Sequence, residues 1–313
     1  MLIAGPNLTI DRTLAIEELR PGEVLRFDTA AVTPGGKGVN VARVAREMAA
    51  GAVLLGFVPG RTGAAAAGLL ADEGISLRGV AVGGEIRSTA VILERSGRVT
   101  VFNEPGPPLA SGDWGRFEAE VVDALEGQVV LACSGSLPPA APVDGYARLV
   151  SLAHARGAVA VVDVGGAALD AALAAGADVV TPNLAEAEGL LHGRADETVE
   201  AGDAEIVRAR GMEAALALVA RGARRAVVTA AEAGAAIADG DDASWVAAPA
   251  VASVVNPIGA GDAFVGGLAL ALERGEPFAA AVAAGIATAS ASVETDVAGV
   301  VVPGRVAELL AGV

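Results

Sequence analysis

Cysteine, lysine and aromatic side chains are nearly missing from this sequence, and each shortage narrows what the chain can be. One cysteine, Cys133, in 313 residues leaves no partner for an internal disulfide, which fits a reducing cytoplasm. Cys133 reads as a small buried residue rather than a nucleophile. Aromatic residues amount to 3%, and Trp114 and Trp245 are too isolated to suggest base stacking. The two histidines, His154 and His192, show neither a metal-ligand spacing nor a Ser/His/Asp arrangement. Hydrophobic residues reach 53%, but as Ala, Val and Leu in short runs. A membrane-crossing helix needs roughly 18 apolar residues in a row. The opening Met1-Leu2-Ile3-Ala4-Gly5-Pro6 has no basic start and too little apolar length for a secretory signal, and reads as a first buried strand.

Positive charge is scarce as well. Against 38 acidic residues stand 22 basic ones, a net charge of -16 that argues against nucleic-acid and anionic-membrane partners. An anionic substrate would have to be held by a few placed cations and backbone N–H groups. Of the 22 basic residues only Lys37 is a lysine, and it sits inside a glycine cluster. Chance is one reading; the compact charge of an ammonium, used at a site, is the other.

What the chain does have is alternation. Short β-branched runs (53–57, 129–133, 158–163, 179–181 and 226–229) are separated by Ala/Leu-rich helical stretches (39–49, 63–73, 113–125, 143–156, 186–191 and 213–221). That order predicts βαβ units and a mainly parallel sheet with helices on both faces, in one domain over residues 1–313. From Ala260 onward the chain reads as helical. Residues 12–33 and 87–103 interrupt the pattern with alternating strands and turns such as Arg20-Pro21-Gly22, and predict a small antiparallel β-layer projecting as a lid.

Four motifs carry candidate chemistry. Val255-Asn256-Pro257-Ile258-Gly259-Ala260-Gly261-Asp262 leads into an apolar helix. Its first turn offers free N–H groups and the positive end of the helix dipole to an anion, with the Asp262 carboxylate beside them. That suits phosphoryl transfer, in which amides steady the moving charge while a carboxylate takes a hydroxyl proton. An ordinary helix start with an Asp on the dipole is the plainer reading. Pro34-Gly35-Gly36-Lys37-Gly38-Val39-Asn40 is a second glycine turn, neither a Walker A loop nor a dinucleotide fingerprint. Ser134-Gly135-Ser136-Leu137-Pro138 follows a strand, where ligands of open α/β sheets bind. Pro182-Asn183-Leu184-Ala185-Glu186 places an amide and a carboxylate three residues apart, to cap a helix or to organise Mg²⁺ through water.

In this order and combination the motifs resemble the ribokinase-like (PfkB) carbohydrate kinases over essentially the whole chain. Gly22-Glu23-Val24 with Arg26, Asn103-Glu104-Pro105-Gly106-Pro107 and Ser134–Pro138 are most similar to the 1-phosphofructokinase and tagatose-6-phosphate kinase branch. The resemblance implies a three-layer α/β/α core with a β-lid that also forms a homodimer contact, and ATP and Mg²⁺ as cofactors. It implies Asp262 as the base and Gly259, Ala260 and Gly261 as the anion hole. Asp11, Gly36 and Asn40 would hold sugar hydroxyls, and Arg26, Lys37, Arg87 and Ser136 a substrate phosphate. Asn183 and Glu186 would serve Mg²⁺ and phosphate, and Thr229 and Gly234 the nucleotide.

Three departures stand out. The branch usually opens Asn-Pro-Ala-x-Asp, whereas this chain has Asn7-Leu8-Thr9-Ile10-Asp11. Thr181 occupies a place where relatives often carry Lys. Ala231 replaces a glycine of the nucleotide loop, where a side chain crowds close backbone approach. The expected activity is transfer of the ATP γ-phosphoryl group to a phosphosugar, fructose 1-phosphate first, with fructose 6-phosphate and tagatose 6-phosphate beside it. A kinase of an unphosphorylated sugar or nucleoside, and a non-catalytic sensor on the same fold, are the alternatives.

Overall fold

In the first strand Met1 and Ile3 enter one hydrophobic core, Leu2 and Ala4 another, and all four are buried. Alternate side chains leave a strand on opposite faces, so this sheet is covered on both. The computed structural model describes residues 1–27, 30–193 and 203–313.

Among the described residues the large sheet has nine strands. In chain order they are β1 (Leu2–Ala4), β4 (Val53–Pro59), β5 (Leu77–Val82), β8 (Val130–Ser134), β9 (Val159–Asp163), β10 (Val179–Val180), β11 (Arg225–Thr229), β12 (Ala235–Asp239) and β13 (Asp242–Val246). They lie side by side as β13-β12-β11-β10-β9-β8-β1-β4-β5, parallel except for the hairpin strands β12 and β13. One face carries α1 (Lys37–Glu47), α2 (Gly60–Asp72), α8 (Ala260–Glu273), α9 (Phe278–Ser292) and α10 (Pro303–Leu310); the other carries α3 (Asp113–Ala124), α4 (Gly145–Ala155), α5 (Gly166–Ala174), α6 (Leu184–His192) and α7 (Ala204–Ala220). This is the expected three-layer arrangement, with the helical C-terminal part as read. Strands β5, β12 and β13 and helix α5 are additions to that reading, and α7 starts well before residue 213.

The two interrupting segments form a separate four-stranded sheet, ordered β3-β2-β6-β7, from β2 (Thr9–Ile16), β3 (Ala30–Gly35), β6 (Arg87–Glu94) and β7 (Val99–Asn103). Residues 28–29, inside one expected segment, lie outside the described residues. Each half is an antiparallel pair, but the central pair β2·β6 runs parallel, from Thr9 opposite Arg87 to Ile16 opposite Glu94. The expected antiparallel layer is thus present in each half, with one parallel pair joining the halves. A chain leaving this sheet after β3 returns only after building α1, β4, α2 and β5, and that long crossover lets β6 lie parallel to β2.

Directly paired residues share a face. One face of the small sheet thus runs from Asp11, Thr89 and Asn103 at one end, through Thr13, Val91 and Val101, to Ala15, Leu93 and Val99 at the other. Its polar end meets the C-terminal edge of the large sheet, where the candidate site lies.

Candidate active site

Helix α8 begins at Gly259, whose φ of 83° puts it in the left-handed region. A Cβ there would fall 2.8 Å from the Ala298 Cβ and 3.2 Å from the Asn40 amide nitrogen, so glycine alone fits. The turn it opens presents Ala260 and Gly261 at a cavity of about 480 Å³, while Asp262 is buried in the same turn. Asn40 Nδ2 donates to Asp262 Oδ2 at 2.7 Å. Burial pushes the Asp262 carboxyl up to about 6, against the pull of Lys37 and the Asn40 hydrogen bond; Asp163 and Glu186 push the same way as burial.

A second cavity, of about 580 Å³, is lined among others by Asn7, Gly36, Lys37, Arg87, Glu104 and Ser136. Lys37 Nζ donates to Asp163 Oδ2 at 3.0 Å, and the carboxylates of Asp163, Asp262 and Glu186 all raise its pKa. The lysine therefore stays charged, at the end of the cavity near Asp262. Arg87 stands at the small-sheet end, its guanidinium donating to the Asn7 carbonyl from Nε and Nη2 at 3.2 Å each. Desolvation pulls its pKa down in spite of Asp11 and Glu104, so it stands as a half-buried cation on the cavity wall. Asn7 Nδ2 donates to Ser136 Oγ at 3.0 Å and ties the third motif to the first strand's exit.

Asp11 lies across Gly35: a Cβ on that glycine would sit 2.0 Å from Asp11 Oδ2. Asp11 Oδ1 is buried with no hydrogen-bond partner among the described residues, and desolvation raises the pKa of its carboxyl. An acceptor so placed suits a ligand hydroxyl, which brings its own proton.

Asn183 and Glu186 form a capping box on α6. Glu186 N–H donates to Asn183 Oδ1 at 2.7 Å and Asn183 N–H to Glu186 Oε2 at 3.0 Å. The plainer of the two readings is thus realised, and it leaves Glu186 Oε1 near Gly165 without a capping role. Thr229, Ala231 and Gly234 line the 480 Å³ cavity together with Val251, Phe264 and Ser290. Gly234 has φ 121°, and a Cβ there would meet the Val246 carbonyl at 2.1 Å. Ala231 holds φ 44°, a left-handed value that a glycine would adopt freely.

Arg26 is not brought to this site within the chain. It is exposed and lines a shallow hollow on the small sheet beside Phe27, Leu93 and Arg95. Three residues that the sequence did not single out take part instead. Asp163, the last residue of β9, holds Lys37 and also accepts from Ser134 Oγ at 3.3 Å. Arg43 and Glu73 stand behind Asn40. Its place at a strand's C-terminal end was a usable signal for Asp163; Arg43 and Glu73 offered none.

Two cavities, one lined by the first turn of the helix that carries a buried carboxylate and the other by the lysine whose charge acts on that carboxylate, suit an enzyme that moves an anionic group between two bound molecules. The chain belongs to the pfkB family of carbohydrate kinases, whose profile it matches over residues 7–303, and it is a phosphotransferase acting on a sugar hydroxyl. It is 34% identical over 305 residues to the 1-phosphofructokinase of Haloferax volcanii, covering 97% of this chain and 93% of that one. It is 32% identical over 294 residues to the ATP-dependent 6-phosphofructokinase isozyme 2 of Escherichia coli, covering 93% and 91%. The crystal structure of phosphofructokinase-2 from Escherichia coli in complex with fructose-6-phosphate superposes with a TM-score of 0.85 at 28% identity, over 100% of this chain and 98% of that one.

Proposed function

We propose that the enzyme transfers the γ-phosphoryl group of ATP to a hydroxyl of a fructose phosphate, with fructose 1-phosphate ahead of fructose 6-phosphate and tagatose 6-phosphate. The observation that carries this reading is Asp262, buried, with its carboxyl pushed up to about 6, in the helix turn that lines the apolar cavity and within the field of Lys37, which lines the other. A base near neutrality takes the acceptor hydroxyl's proton without holding it too tightly. The cavity with Lys37 and Arg87 takes the phosphosugar, Asp11 and Asn40 its hydroxyls. The cavity with Thr229, Gly234 and Phe264 takes the nucleotide. The N–H groups of Gly259, Ala260 and Gly261 face the transferring phosphoryl, and Lys37 lies nearest to it among the cations.

The donor set suits Mg²⁺ held mostly by phosphates and water, for Glu186 Oε1 is the one carboxylate oxygen the capping box leaves over. No cluster of three or more potential metal-ligating side chains occurs among the described residues. Bound there, Mg²⁺ would neutralise charge on the donor phosphates.

The whole chain acts as one kinase domain, and the small sheet is its lid. Leu93, Val99 and Val101 lie exposed at the apolar end of the face that bears Asp11. An edge-exposed apolar sheet face of this kind favours a second copy of the chain as its cover, giving a homodimer through the lid. Cytoplasmic residence fits the lone buried Cys133 and the lack, among the described residues, of a helix long and apolar enough to cross a membrane.

An ADP-release assay over fructose 1-phosphate, fructose 6-phosphate, tagatose 6-phosphate, fructose, ribose and nucleosides tests the reading. Turnover highest with an unphosphorylated sugar would overturn it. Turnover with none, in a protein that binds ATP, would favour the sensor alternative.

A further inference from the structure

We infer that Arg43 is a positioning residue for the base: it forces the Asn40 side chain to present its nitrogen, not its oxygen, to Asp262. Arg43 lies on α1, 2% exposed, with all its guanidinium donors used. Nε and Nη2 donate to the two carboxylate oxygens of Glu73, at 2.7 and 2.8 Å. Nη1 donates to Asn40 Oδ1 at 3.0 Å and to the Ala298 carbonyl at 3.2 Å. Nη2 also donates to the Pro34 carbonyl at 2.6 Å.

The consequence for Asn40 is a matter of donor and acceptor sense. A guanidinium has no acceptor. The amide oxygen must therefore face Arg43, and the amide N–H₂ must face Asp262, where it donates at 2.7 Å. A donor on a carboxylate favours the ionised form. Were the amide turned over, its oxygen would confront Asp262 Oδ2, and only a protonated carboxyl could satisfy it.

Arg43 thus keeps the base unprotonated from two bonds away. Its other contacts serve the same end. Pro34 directly precedes the Gly35-Gly36-Lys37 turn, and Ala298 packs on Gly259, the cap of α8. One side chain joins both glycine turns. The charged groups facing Asp262 are Lys37 from α1, Asp163 from β9 and Glu186 from α6, while α9 carries no ionisable side chain. Arg43 touches none of the three.

The inference rests on Asp262 being the base, and its test separates the two. In the Arg43→Met, Glu73→Gln double variant the ion pair is removed as a unit, so the distant field is little altered. The acid limb of kcat/KM for the phosphosugar is expected to move up by about one pH unit, lowering kcat/KM about 2-fold at pH 7 and about 10-fold near pH 5, with recovery at higher pH. KM for ATP should stay within about 2-fold. Arg43→Lys, which keeps the charge but lacks the planar fork, should shift the limb in the same direction and serves if the double variant does not fold.

The Asp262 carboxyl resonance, assigned through Asp262→Asn and followed by ¹³C NMR, should show the same upward shift without any turnover. A folded variant with an unmoved limb and an unmoved carboxyl titration, or one that loses kcat evenly at every pH, would make Arg43 a structural residue only. A shifted resonance together with an unchanged pH–rate profile would instead tell against Asp262 as base, leaving the hydrogen-bond chain intact.

Discussion

Asp262 carries two opposite pH dependences. As a base it must be ionised, so kcat/KM is expected to fall as pH drops through about 6. Stability runs the other way. The folded value of about 6 lies above the ordinary 3.8, so this group's contribution is fully present below 3.8 and is lost as pH rises through 6. Melting curves and pH–rate profiles between pH 4 and 7 should therefore diverge. Asp262→Asn is expected to lower kcat by at least about 10²-fold while leaving the fold intact; near-normal turnover in that variant would remove Asp262 from the mechanism. Ala231 offers a second case in which one side chain matters. An L-residue at φ 44° is held against its preference, and Ala231→Gly is expected to raise stability by up to about 1 kcal/mol, read from denaturant melts, and to lower KM for ATP. Unchanged or reduced stability would mean the loop had already adapted to the alanine.

The elements divide into those the sequence declares and those it hides. Core strands such as β4 and β8 are short β-branched runs between turns, and the two glycine turns are contiguous motifs, so both are plain in the one-dimensional pattern. Helix α5 is hidden because Gly166–Ala174 is nearly all Ala, Gly and Leu, with too little polar contrast to show a period. The parallel sense of β2·β6 is hidden because alternation gives a strand's faces but not its direction. The Lys37–Asp163 pair joins residues 126 positions apart and Arg43–Glu73 joins residues 30 apart, and only the folded chain brings them together. The small sheet carries its own prediction. Arg87 stands on β6 at the cavity's outer end, so Arg87→Ala should raise KM at least about 10-fold for a phosphosugar and much less for an unphosphorylated one. Bound phosphosugar should also slow hydrogen exchange in β2, β3, β6 and β7 together. Equal losses for both sugars would count against a phosphate at Arg87, and unchanged exchange against a closing lid.

For the whole molecule, a net charge of -16 makes self-association depend on apolar contact rather than on charge attraction. Val101→Glu, in the middle of the small sheet's apolar face, is expected to turn a dimer into a monomer by light scattering at micromolar concentration. A parent protein already monomeric there would end the dimer proposal. The place of β1 has a different consequence, one of timing. This strand precedes both of its neighbours in the chain, and they pair Leu2 with Val53 and with Leu131. The middle of the sheet cannot close until the chain has been made as far as Leu131, and long-range parallel pairing of this kind is slow. Until then Leu2 and Ile3 remain exposed on a nascent chain, so a segment made well before its partners waits longest for burial and needs shelter during synthesis.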